Sequence, residues 1–187
     1  MIFTDGSVNS EYSAVGSCAA VLIPLESSET EIKQSEVFSV LADSTEAEVC
    51  GIALALDMAI QYFSTRPEQD FRESLFVLSD CKAAIDIVVN RCRTDGHVHV
   101  LSRTRSHLSS LRDMMVDVTL VWIPGHCDIH YNDIADHCAR TATLNPDSIP
   151  SSTVTIDACK KLITKQCRAL WQTRWQRSNT GLSLIHI

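Results

Sequence analysis

The stretch SLFVLSDCKAAIDIVVNR, residues 74–91, changes periodicity halfway along. Residues 74–80 form a short apolar run ending in Asp80, as a buried strand does. Residues 81–91 follow at once with apolar residues grouped at helical spacing. A strand that runs straight into a helix does not turn back as a hairpin. It leads into a crossover, which is how parallel neighbours are joined. The alternation recurs downstream, so the chain reads as α/β with parallel pairing in part of its sheet.

Working outward, residues 97–115 read as helical, although HVHV at 97–100 is ambiguous between helix and strand. VTLVWI (118–123) is a strand broken by Pro124-Gly125, and a helix is expected over about 132–144. Upstream, residues 1–5, 15–25 and 31–40 fit an antiparallel meander, with SSET (27–30) as a polar turn. Apolar residues at Val49, Ile52, Ala53, Leu56, Ala59 and Ile60 then predict a helix of about 17 residues. Ser44 or Thr45 is its expected N-cap, with Glu46 and Glu48 in the favourable first turn. Residues 63–73 are polar, contain Arg66-Pro67 and read as a loop. LNPDSIPSS (144–152) marks a boundary. The expected organisation is a domain over 1–145, a linker over 146–154, a helix over 155–177 and a tail over 178–187. Trp171 and Trp175 lie one turn apart on the last helix.

The 187 residues are 45% hydrophobic and 21% charged, which suits one domain with a packed core plus an appendage. No apolar run approaches the roughly 18 residues of a membrane span. Polar and acidic residues arrive too early for a secretory signal, so an intracellular protein is expected. The eight cysteines form no C-x-x-C pair and sit singly among apolar neighbours, the pattern of reduced thiols rather than of a zinc site or a disulfide framework. A net charge of −7 argues mildly against a nucleic-acid partner. The charge is unevenly spread, however. Residues 1–145 carry 10 Lys and Arg against 21 Asp and Glu, whereas residues 146–187 carry six against two. A basic tail on an acidic body can reach a nucleic acid, or be only a solvated helix face.

Four acids fall where a sheet would present them. Asp5 closes the apolar IFTD run, Glu48 opens the first helix, Asp80 closes the 74–80 strand, and Asp136 lies early in the helix after WIPGH. If the first and fourth strands are parallel neighbours, their C-terminal ends meet at the edge where open α/β sheets bind ligands. Carboxylates so placed repel one another unless a cation lies between them. A hard divalent ion with oxygen ligands fits, Mg²⁺ best.

IFTDGS, STEAEVCGIALAL, LSDCKAAI and VWIPGHCDIHYNDIADHCA together resemble the ribonuclease H domain of non-LTR, LINE-like retrotransposon reverse transcriptases, over about residues 1–145. Four motifs in this order make the resemblance specific. It implies a ribonuclease H-like α/β fold: a mixed five-stranded sheet in the order 3-2-1-4-5 with helices on both faces. It implies endonucleolytic hydrolysis of the RNA strand of RNA–DNA hybrids with two Mg²⁺ ions, Mn²⁺ being possible. The family's acidic set maps onto Asp5, Glu48, Asp80 and Asp136, which would serve as both metal ligands and catalytic residues. The family's histidine maps onto His126, ten residues before Asp136, where an imidazole can assist proton transfer or product release.

Asp133 competes with Asp136 for the fourth position. YNDIAD matches the family's G-N-E-x-A-D run, which puts Asp136 at the catalytic place and Asp133 at the helix start. Ser7, Ser44 and Thr45 match positions that face the hybrid's minor groove, where a hydroxyl can pair with a ribose 2′-OH. The family often has amides at the latter two, and helix capping would also account for them. Asp128 and Tyr131 stand where the family commonly has Gly. Arg91, Arg93, Arg103, Arg105 and Arg112 gather the scarce positive charge and could meet the DNA backbone. His97, His99, His107, His130 and His137 have no comparable placement.

The resemblance also implies an upstream reverse transcriptase region as a partner. LSLIHI at the end looks like a translated sequencing adapter, so residues 178–187 are expected to be poorly ordered. A catalytically decayed hybrid-binding module is the alternative function. Integrases and exonucleases that share such a sheet order and space their acids differently and lack WIPGH.

Overall fold

The structure, a computed structural model, describes residues 1–9, 15–24, 30–39, 42–66, 72–91, 98–144 and 156–177. The linker over 146–154, the tail over 178–187, Arg93 and His97 lie outside them. In chain order the elements are β1 (Ile2–Asn9), β2 (Val15–Leu22), β3 (Ile32–Ser39), α1 (Ser44–Ser64), β4 (Glu73–Ser79), α2 (Lys82–Val88), α3 (Val98–Asp113), β5 (Val116–Trp122), α4 (His130–Ala142) and α5 (Ile156–Arg177).

The five strands form one mixed sheet in the order β3-β2-β1-β4-β5. β1, β2 and β3 pair antiparallel, while β4 runs parallel to both β1 and β5. Alternation along the strands separates two cores. Ile2, Cys18, Ala20, Leu22, Leu75 and Val77 face the larger one, built with α1, α2 and α3. Phe3, Val21 and Leu78 face the smaller one, which packs against Ile134 and Ala135 of α4. Helices therefore cover both faces, as two-sided burial of the central strands requires.

α1 has the length and hydropathy of a membrane span, but most of that window is buried inside the fold. It is the core helix of the sheet's larger side. Its N-cap is Asp43 rather than Ser44 or Thr45, because the chain is still extended at Asp43 and its carboxylate accepts the Glu46 N–H at 2.9 Å. Glu48 consequently lies beyond the first turn. The helix runs 21 residues rather than about 17, carried on by Tyr62 and Phe63, which pack against the larger core. HVHV resolves as helix from Val98 onward. α4 begins earlier than expected, at His130, so Asp136 sits nearly two turns into it, further along than expected. Cys18 and Cys50 are buried as expected, but Cys127, Cys159 and Cys167 are exposed, the first in the turn after β5 and the others on α5.

Candidate active site

β1 does not end at Asp5. It continues to Asn9 because β2 offers it antiparallel partners as far as Val15. Its parallel ladder with β4, however, stops at Thr4, opposite Ser79. Asp5 and Asp80 are each the next residue beyond that last pair. The sheet opens where the ladder ends, and both carboxylates stand in the opening.

α1 brings Glu48 to the same place. A β-carbon on Gly6 would collide with the backbone of Ala47 and Glu48, so only glycine lets the start of α1 lie this close to β1. Oxygens of Asp5, Glu48 and Asp80 then lie within 4.8 Å of one another. They line a cleft of about 380 Å³ together with His126 and Asp136. The Asp136 carboxylate lies near enough to that of Asp5 for its charge to act on it, and it is held by Arg140, one turn further along α4. Asp133 lines the rim of the same cleft and is exposed.

The electrostatics follow from this crowding. Asp5 is pushed up to about 8, by burial first and then by the charges of Asp80 and Asp136. Glu48 is pushed up to about 9, by burial and then by Asp5 and Asp80. A hydrogen bond to each from the backbone of Gly6 works the other way and is outweighed. One oxygen of Glu48, Oε2, is buried without a hydrogen-bond partner among the described residues. Buried carboxylates with an unmet acceptor fit a hard divalent cation, which would satisfy the acceptor and remove the repulsion together.

His126 is exposed in the turn after β5 and has a left-handed backbone, φ 54°. Asp128 is left-handed as well, φ 55°. That conformation suits glycine best but is one that Asp tolerates better than most residues. Tyr131 packs its ring 5.7 Å from that of Phe3 and joins the smaller core, so its side chain anchors the start of α4.

The structure thus brings Asp5, Glu48, Asp80, Asp136 and His126 to one cleft. Ser7, on β1, and Ser44 and Thr45, in the first turn of α1, stand outside its wall. Arg91 and Arg103 are paired with Asp86 and Glu36. Three contributors escaped the sequence reading. Asn132, 3% exposed, donates from Nδ2 to Asp80 Oδ2 at 3.3 Å. Trp122 donates its indole N–H to the Asp80 carbonyl at 2.9 Å. Cys81 lines the cleft beside Asp80. Asn132 carried a usable signal: it lies four residues before Asp136, on the same face of α4.

Comparison with known proteins agrees with this architecture. The sequence pattern of the RNase H family matches residues 1–143. Solved structures with a similar fold include RNase H1 from Halobacterium salinarum (17% identity, TM-score 0.54), covering 76% of this chain and 95% of that one. LC11-RNase H1, solved in complex with an RNA/DNA hybrid, has 10% identity and a TM-score of 0.54 over 76% of this chain and 97% of its own. The foamy viral protease-reverse transcriptase, also solved with a hybrid, has 14% identity and a TM-score of 0.56 over 76% of this chain and 19% of its own. No curated protein sequence matches significantly. With about three-quarters of its length matched by the family pattern, the chain belongs to the RNase H family of ribonucleases.

Proposed function

We propose that the protein hydrolyses the RNA strand of RNA–DNA hybrids endonucleolytically, with two Mg²⁺ ions held among Asp5, Glu48, Asp80 and Asp136 and with Mn²⁺ as a possible substitute. The observation that carries this reading is the meeting of Asp5, Glu48 and Asp80 within 4.8 Å, with a buried Glu48 oxygen left unsatisfied. Such ions, when bound, supply activation of the attacking water and neutralisation of the leaving oxygen. The protein's own part is positional. Asp5 and Asp80 are fixed by the end of the parallel ladder, Glu48 by the close approach of α1, and Asp136 by Arg140. His126, an exposed residue lining the cleft, would exchange a proton with the product strand. Ser7, Ser44 and Thr45 would meet the hybrid along the minor groove, outside the cleft.

The four motifs support a retroelement origin of the non-LTR kind, with this domain serving a reverse transcriptase region inside the cell. The similarity of fold to a viral reverse transcriptase accords with it. The reading is tested with labelled RNA–DNA hybrid, RNA duplex and DNA duplex, in Mg²⁺ and in chelator, using the parent chain and Asp80→Asn. Cleavage of hybrid RNA alone, abolished by chelator and by the substitution, is the expected result. A folded protein that binds hybrid and never cleaves it would instead be the decayed binding module.

A further inference from the structure

α5 is the basic part of an acidic protein. Residues 156–177 carry six Lys and Arg against one Asp, while residues 1–145 are acidic by 21 to 10. Lys160, Thr164, Arg168, Trp171 and Trp175 follow one another at steps of four, four, three and four, which puts them on one face of α5. Lys160, Thr164 and Arg168 line a single recess together with Lys165. The rings of Trp171 and Trp175 are stacked, centroids 5.2 Å apart and planes 26° apart. Trp171 is 62% exposed. Among the described residues, α5 contributes to neither hydrophobic core, so this pair does not serve the packing of the sheet.

We propose that this stripe binds single-stranded nucleic acid adjoining the hybrid, with phosphates on Lys165 and Arg168 and a base stacked on Trp171. Cations followed by an exposed indole, Trp171, stacked on the half-buried Trp175 match the two things a single strand offers at once, charged phosphates and uncovered base faces. A duplex offers the charges but keeps its bases covered. From Lys160 to Trp171 the stripe spans about 16 Å of helix axis. It also places positive charge where the acidic body lacks it, and so would offset the body's repulsion of a polyanion. The inference rests on the hybrid-cleavage reading only for which nucleic acid is at hand.

The test uses the full chain in chelator, so that binding is read without cleavage. Fluorescence anisotropy compares a blunt hybrid with the same hybrid carrying a single-stranded DNA tail of about 15 nucleotides. The parent is expected to bind the tailed hybrid about tenfold more tightly, with quenching of its tryptophan fluorescence. Arg168→Glu and Trp171→Ala, both at exposed positions, are each expected to bring the tailed-to-blunt ratio close to one. Equal binding of the two hybrids by the parent, or a ratio that survives both substitutions, overturns the proposal. So does sedimentation in which Trp171→Ala breaks up an oligomer while the ratio persists, which would make the stripe a protein contact. Loss of cleavage in Mg²⁺ bears on the catalytic reading alone, because the ratio is measured without it.

Discussion

A β-carbon on Gly125 would come within 2.6 Å of Asp80 Oδ2. The turn after β5 is thus pressed against one of the clustered carboxylates, and the missing side chain is what makes room for it. Gly125 has no positive φ, so alanine there would strain nothing but this contact. Gly125→Ala is expected to displace the Asp80 carboxylate or the His126 turn and to lower the rate of hybrid cleavage about 10- to 100-fold. Far-ultraviolet circular dichroism should be unchanged. Full activity in the variant would mean that the turn yields without moving Asp80.

Asn132 restrains the same carboxylate from the other side, through the bond from Nδ2 to Oδ2. Asn132→Ala removes the donor and frees Asp80 to rotate. Cleavage is expected to fall about tenfold, and the Mg²⁺ concentration for half-maximal activity to rise, as when an outer-shell partner of a metal ligand is lost. A Mg²⁺ titration decides it: an unchanged midpoint would leave Asn132 with a packing role only.

The raised values of Asp5 and Glu48 set a pH dependence whose sign is definite. An unfolded chain releases both protons near pH 4. The folded, metal-free protein holds them up to about 8 and about 9. Between these limits the native state binds more protons than the unfolded one, so stability falls as pH rises. The melting temperature in chelator should therefore decline from pH 5 to pH 9. Glu48→Gln should flatten the decline while abolishing cleavage. Added Mg²⁺ should raise the melting temperature most at the alkaline end, where no proton competes for the oxygens.

Asp43 caps α1, and α1 carries Glu48. Asp43→Ala is expected to cost about 1 kcal/mol and to lower the melting temperature by about 2–4 °C. Ser44→Ala and Thr45→Ala should cost less, since neither is the cap. A larger loss at Ser44 than at Asp43 in thermal denaturation would reverse the assignment.

The charge of Asp136 acts on Asp5 and its carboxylate is paired with Arg140, whereas Asp133 lines the same cleft as an exposed side chain. Asp136→Asn should reduce cleavage of a labelled hybrid by about 10- to 100-fold. Asp133→Asn should leave most of it. Equal losses in the two variants would place both acids in the reaction.

The kind of fold was legible because its signals are local. The switch of period within residues 74–91 announced a strand followed by a helix, and the apolar steps from Val49 to Ile60 announced α1. The boundaries were less legible for reasons that lie elsewhere in the chain. β1 outruns Asp5 because β2 gives it partners. The cap of α1 is chosen among the adjacent Asp43, Ser44 and Thr45 by where the backbone turns, not by residue type. Asn132 was visible in YNDIAD, but nothing in that run says that its amide meets a carboxylate 52 residues earlier.

The amino-acid sequence by itself determined the elements, the four acids that gather at the cleft and the division into an acidic body and a basic last helix, all of which depend on residue type and short-range spacing; His126 was reached through the family resemblance. Tertiary structure decided the rest: that the parallel ladder stops at Thr4 and Ser79, that Asp5, Glu48 and Asp80 come within 4.8 Å, and that burial and mutual repulsion push Asp5 and Glu48 upward. Those properties arise from charge, burial and backbone contact between segments distant in the chain. Coulomb repulsion and desolvation depend on separation in space, which one-dimensional spacing does not specify.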